Sequence, residues 1–519
     1  MKRTAILPLL VATVASLSSA SAQTTFIKAN NNTSLNFAAS YTANSGVPGA
    51  LDTIQIDNTL TANQTAALGG NRTVFAITQL ANTTNQFQIS NTVGATLTIG
   101  AGGVTKSSGT AALIFANAVT LGANQTWSIV SGSQNLQMNG AFSDGGFNLN
   151  VTGAGTFDLR GSNTFGSNVT IGSTGVNINS AGITVTFGGA NTFDNLLINN
   201  GRLRGATIGN YGSASNFGDG GTNSTITLGG NSANGTLEYT GNSVSTNRTI
   251  TLDSRSTGSG IEVSTAGQTL TVTSNLLYSG TQTANTTWNI GGAGNLILSG
   301  NVAETSNGTF TAGLVKNGLG TLTLSGNNTY AGGTQVNTGT LIVNNTAGSG
   351  TGTGAVNIAV GATLGGNGTI TGATTIDGIL APGNSIGTLN ITNTVTWNDN
   401  NAWQFELGAA GISLLTPGTS DLLNITGSFT KGTGSSFTFD FQGGGAEGWY
   451  RLVDWTVGTT FVAGDFFATN LASGLTGSFV VDAGTSALYL NVVPEPSTGA
   501  LLGLGLAGLA FHRRRIHRS

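Results

Sequence analysis

Six carboxylates, Glu406, Asp421, Asp440, Glu447, Asp454 and Asp465, fall within one stretch of sixty residues. Glycoside cleavage needs two such groups held about 5 to 10 Å apart. Gly443, Gly444 and Gly445, just before Ala446-Glu447-Gly448, would supply a loop around such a pair. The simpler reading makes these acids solvated loop and cap residues, and the sequence favours it. A second grouping, Asp194 with Arg202 and Arg204, has residue types of a β-helix polysaccharide lyase, in which a basic residue acts beside acids that hold calcium. No dense acidic cluster accompanies it. Gly218-Asp219-Gly220-Gly221 has the composition of a calcium-binding turn but occurs once, whereas such sites draw ligands from successive turns. The Gly-rich runs lack the Gly-Lys-Ser/Thr of a phosphate loop. Both histidines, His512 and His517, lie in the last eight residues, and there is no cysteine. The body therefore cannot form a Ser-His-Asp triad, a Cys-His dyad, a His/Cys zinc site or a thiol redox centre. No catalytic, cofactor-binding or metal-ligating residue is assigned, and the chain reads as a non-enzyme without a cofactor.

Composition decides which elements carry these residues. Of 519 residues, 81 are Gly, 81 Thr and 55 Asn, and only 7% are charged, where an ordinary soluble domain carries about 25%. Thr favours strands, Gly and Asn suit tight corners because both tolerate positive φ, and few residues favour long helices. Hydrophobic residues, at 38%, are too many for a disordered low-complexity chain. Between residues 23 and 493 the 11 basic and 19 acidic side chains leave a charge of −8, with no basic stripe for nucleic acid. Asn-x-Ser/Thr triplets such as Asn124-Gln125-Thr126 are what this composition yields by chance.

The ends are processing signals. Met1-Lys2-Arg3, an apolar run over 5–17 and Ala20-Ser21-Ala22 before Gln23 have the layout of a secretory signal peptide, with Ala20 and Ala22 setting cleavage before Gln23. The run is broken by Pro8 and is too short to span a bilayer core of about 30 Å. The other end reads Pro494-Glu495-Pro496, an apolar run over 499–511, then His512 and Arg513, Arg514 and Arg515. A helix can begin after the prolines, and the arginines would stay cytoplasmic. At about 1.5 Å per residue the run reaches some 20 Å, a poor match for a permanent anchor. These three parts, in this order, resemble the PEP-CTERM sorting signal. The resemblance implies processing by an exosortase near Pro494, Glu495 and Pro496, with transient inner-membrane association through 499–511. It also implies a mature protein at the surface, or in the exopolysaccharide matrix, of a Gram-negative-type bacterium.

Internal repeats organise the middle. Residues 318–330 (GLGTLTLSGNNTY) and 153–165 (GAGTFDLRGSNTF) align without a gap, and 189–203 is a shorter copy of 327–341. In the Thr-Leu-Thr-Leu unit, Leu322 and Leu324 point to one face and Thr321 and Thr323 to the other. So short a strand cannot bury enough surface alone. Stacked as a solenoid, such units pair every backbone group with the coils above and below and merge their aliphatic side chains into one core. Residues 316–343 resemble the autotransporter-associated β-strand repeat of bacterial passenger domains, as do 235–241 and the stretch from 344 to 387. That family implies a right-handed parallel β-helix. Its members end in a translocating barrel, whereas here the sorting tail follows about a hundred residues after Gly387, so the expected route across an outer membrane uses other machinery.

The expected architecture is all-β: signal peptide 1–22, β-helix 23–390, an aromatic-rich antiparallel β cap 391–492, and sorting tail 493–519 with a short transmembrane-like helix. At roughly 20 residues per coil the helix would have about 18 coils and a length of about 85 Å. The cap is marked by Trp397, Trp403, Trp449 and Trp455 and by alternating Phe437, Phe439 and Phe441, which suggest antiparallel strands. The expected function is a scaffold or adhesin at the cell surface or in the exopolysaccharide matrix. The alternative is a polysaccharide-binding or polysaccharide-degrading enzyme on the same scaffold.

Overall fold

Short alternating strands can satisfy their backbone only by stacking, and that is how this chain folds. A computed structural model describes residues 23–495 apart from 43, 45, 82, 91, 108–110, 131–135, 148, 154–155, 160–162, 165–167, 172–175, 179–183, 189–190, 192–194, 199–200, 219–224, 231–232, 254–257, 280–283, 305–308, 399–400 and 443. The expected signal peptide, the apolar run 499–511, Pro496 and Arg513 to Arg515 therefore lie outside the described residues, as does the expected tail helix. Among the described residues there is no α-helix, only two 3-10 turns, Ala38–Ser40 and Ala463–Asp465. No described helix is long and apolar enough to cross a membrane.

The architecture is a parallel β-solenoid. One continuous face contains 17 strands, from Gln64–Ala67 to Gly458–Thr459, each hydrogen-bonded in parallel to the next. Coils also add strands to further faces; one coil places Thr286–Gly291 on the long face and Asn295–Leu298 and Val302–Ala303 on two others. Inward positions stack in register. Leu270, Leu296, Leu322, Leu341, Leu364 and Leu380 form one column through six coils, all of them buried. At roughly 1.5–3 kcal/mol per buried leucine, such columns hold the coils together in place of helices or disulfides.

Coil length departs from expectation. Steps along the leucine column range from 16 residues, Leu364 to Leu380, to 26, Leu296 to Leu322. The long face averages about 25 residues per coil, because connections such as that beginning at 206–218 are long, setting Gly201 beside Gly235. Fourteen of its strands precede residue 390, rather than 18, and span about 62 Å. The aligned repeats also do not share a face. Thr156–Leu159 belongs to the long face, whereas its counterpart Thr321–Leu324 belongs to a second one. The repeat thus encodes strand, corner and strand, not a fixed position around the coil.

Parallel stacking continues past 390. Phe437–Asp440 is parallel to both Trp403–Gln404 and Phe466–Thr469, so the antiparallel strands expected from its alternating phenylalanines are not there. Alternation requires only one buried face, which a parallel coil also provides. Antiparallel pairing occurs where Ala487–Pro494 lies between Gly448–Trp455 and Leu475–Asp482. This sheet covers the end of the solenoid, and Trp397, Trp403 and a group of phenylalanines fill the coils beneath it.

Candidate functional site

The six carboxylates are dispersed, Asp440 and Asp454 on strands and the other four in connecting segments. Asp421 is buried, and its two oxygens accept the backbone N–H groups of Gly387 (3.0 Å) and Glu406 (2.7 Å). Burial pushes its carboxyl up to about 6 against those two hydrogen bonds, and the neighbouring Glu406 charge adds to the rise. Asp465 accepts Lys431 Nζ at 2.8 Å and the Val462 N–H at 2.9 Å; burial opposes its ionisation, but these bonds hold it below the usual range. Asp454 pairs with Arg451 Nε, and burial nonetheless lifts it. Asp440 accepts Gln442 Nε2 and Asn470 Nδ2, both at 2.8 Å. Glu406 and Glu447 are exposed. Glu406 and Asp421 are neighbours, but each Asp421 oxygen is already taken by a backbone donor. No group of three His, Cys, Asp or Glu converges among the described residues.

The second grouping becomes an ion-pair cluster. Asp194 and Asp219 to Gly221 lie outside the described residues. Register sets Arg204 opposite Glu238 on the next coil, and Glu238 opposite Glu262 on the coil after. Arg202 and Arg204 each reach Glu238 Oε2 at 3.0 Å, Arg202 also contacts Glu262, and Ser264 Oγ donates to Glu238 Oε1 at 2.7 Å. Burial opposes ionisation of Glu238, but the hydrogen bonds from Ser264, Arg204 and Arg202 outweigh it and keep its carboxyl low. Two cations and two anions cancel, so neither arginine is poised as a base. Gly258, Gly260 and Gly291 leave a shallow cleft of about 180 Å³ beside them, rimmed by Arg202, Glu262 and Asn317.

Sequence reasoning missed two corner devices. Positive φ occurs at Asn44 and Asn470 but at no other described asparagine, so corner geometry does not account for the abundance of Asn. Instead the side-chain oxygens bond coil to coil: Asn275 Oδ1 accepts the N–H of Asn301, and Asn301 Oδ1 that of Asn327, both at 2.9 Å and 26 residues apart. A 26-residue spacing of Asn after Ser or Gly, at Ser274-Asn275, Gly300-Asn301 and Gly326-Asn327, was the available signal. The other device is buried lysine. Lys316 Nζ donates to the carbonyls of Asn317 (2.9 Å), Gly318 (2.7 Å) and Thr338 (3.2 Å), and Lys28 Nζ to those of Ala29 and Asn31 (2.8 Å each).

These lysines predict an alkaline stability maximum. Burial lowers both Lys28 and Lys316 from 10.5 to about 8, whereas it raises Tyr278 and Tyr330 above their ordinary 10.0. Between pH 8 and 10.5 the unfolded chain holds lysine protons that the folded chain releases, so stability climbs with pH. Above pH 10 the unfolded chain releases tyrosine protons that the folded chain keeps, and stability falls. Thermal midpoints taken from pH 7 to 11 should pass through a shallow maximum near pH 10; a monotonic fall from pH 8 would contradict this.

The sorting motif adjoins the fold directly. Pro494 ends the last strand opposite Leu475, and the Glu495 N–H donates to Gly474 O at 2.8 Å. At the other end, Gln23 Nε2 donates to Thr53 Oγ1 at 2.9 Å, one coil on. Comparison with known families matches residues 492–515 to the PEP-CTERM protein-sorting motif. The chain carries a PEP-CTERM sorting signal. Residues 314–343 of this PEP-CTERM protein match the passenger-associated-transport repeat, a segment that includes the Lys316 corner. It is an exported cell-surface protein, and its motif implies processing by an exosortase. It is similar to an extracellular serine protease of Serratia marcescens, with 39% identity over 103 residues, 20% of this chain. The match spans 9% of the protease's length.

Proposed function

We propose that the protein is a non-enzymatic β-solenoid scaffold of the cell surface or exopolysaccharide matrix, released from a membrane-associated precursor by an exosortase acting near Pro494 to Pro496. The observation that supports this most is the position of the sorting motif. Its Pro494-Glu495-Pro496 begins at the last residue of the sheet that closes the solenoid, so the tail is a handle on a finished rod. Many polar groups of the rod support the same reading, being spent on coil-to-coil ladders and on ion pairs between neighbouring coils. Ser-His-Asp chemistry has no histidine to draw on between residues 23 and 495. Deleting residues 494–519 should move the protein out of its normal surface or matrix fraction, as followed by cell fractionation and mass spectrometry of its C-terminus. Unchanged fractionation, together with full retention of the tail in the wild-type protein, would sink the sorting part of this reading.

The cleft beside Arg202 and Glu262 favours a second reading, polysaccharide binding, because its balanced charge and hydrogen-bonding rim suit neutral sugar hydroxyls. Retention of the purified protein on immobilised exopolysaccharide, lost in Glu262→Ala, would raise this reading over a purely structural role.

A further inference from the structure

The hairpin 407–420 places apolar side chains at the end of the rod from which the tail departs. Leu407 pairs with Ser420 and Ser413 with Thr416, closing a tight turn. Gly411 exchanges backbone hydrogen bonds of 3.1 and 3.0 Å with Trp449, and the Gly418 N–H adds a third to Trp449 O at 2.8 Å. The hairpin is thereby fixed to the start of Gly448–Trp455. The other edge of that strand holds Ala487–Pro494, with Trp449 opposite Asn491 and Gly448 opposite Val492. At one strand spacing on each side, the hairpin and the tail-bearing strand lie roughly 10 Å apart.

The tip of this hairpin is open to solvent, with Ile412 90% and Leu415 81% exposed. The apolar run over 499–511 begins five residues past Pro494, a reach of about 17 Å when fully extended. A bilayer entered by that run is therefore within range of the tip. Glu406 and Glu447, both exposed beside the hairpin, favour a neutral headgroup surface over an anionic one.

We infer that Ile412 and Leu415 rest on the lipid surface while the tail occupies the membrane, giving the rod a second foothold beside its exit point. The inference rests on the reading of 499–511 as a membrane-entering segment. Two footholds would fix the rod's angle to the membrane, which a single tail cannot do.

The absence of cysteine permits a direct test. Single-cysteine variants Ile412→Cys, Leu415→Cys, Leu319→Cys and Leu506→Cys of the tail-bearing chain are labelled with a polarity-sensitive fluorophore. They are then reconstituted with phosphatidylcholine vesicles containing brominated acyl chains. Labels at 412 and 415 should shift to the blue and be quenched several-fold. The label at 319, 81% exposed on a mid-rod corner, should keep its aqueous spectrum. If 506 is quenched while 412 and 415 are not, the lipid contact is overturned and the tail reading stands. If 506 is also unquenched, both fail.

Discussion

Replacing Trp397 with alanine is expected to cost about 3–5 kcal/mol and to open the last coils while leaving the rest of the rod folded. Trp397 is fully buried between Ile376 and Lys431 in the long parallel face. Its ring stacks on Trp403 at 3.7 Å and 13°, and meets Phe437 and Phe439 edge-on at 5.1 and 5.2 Å. Removing it leaves a cavity lined by rings that rest on one another, with no backbone slack to close it. Coils contact only their neighbours, so the damage should be local. Hydrogen exchange should show protection lost from Val395–Trp397, Phe437–Asp440 and Phe466–Thr469 but kept at Leu270 to Leu324. A uniform loss along the chain would contradict the picture. Trp397→Phe should cost far less, because the indole N–H that it removes is buried without a partner.

Gly320→Val should be comparably damaging for a different reason. A Cβ at Gly320 would collide with the carbonyl oxygen of Gly294 on the preceding coil, and one at Gly339 would press on the Gly318 and Gly320 oxygens and Lys316 Nζ. Gly320 does not have positive φ, so the demand is for space between coils rather than for an unusual backbone. Backbone cannot rotate away as a side chain can. The coils must part, at a cost of about 3 kcal/mol or more, and with them the Lys316 corner. Gly464, also without positive φ and with open space at its Cβ position, is the matched control: Gly464→Ala should leave the thermal midpoint unchanged.

Much of the fold was legible in the sequence, because a β-solenoid writes its plan locally. The alternation at Thr321 to Leu324 fixes which side chains face inward, and repeating it fixes what they stack against. Coil length was less legible, since corners absorb insertions freely: Leu322 and Leu341 are adjacent in space at 19 residues, Leu296 and Leu322 at 26. Strand direction at Phe437 to Phe441 was misread because alternation is silent about the orientation of the partner. The acids were legible as types but not as roles. Nothing local marks Asp421 as the acceptor for N–H groups 34 and 15 residues away, or Glu238 as the hub for two arginines on the preceding coil. Lys316 was hidden for the same reason, since its carbonyl partners are made by a corner and not by a motif.

The stacking direction has a mechanical consequence. Hydrogen bonds between coils run along the rod, so tension between its ends loads them one coil at a time, as in opening a zip. Each coil that yields shortens the folded rod by about 4.8 Å but frees some 25 residues, about 80 Å of extended chain. A rod tethered at its sorting end would therefore lengthen stepwise under load, at a force set by its weakest remaining coil, and spare the bond that holds it to the cell.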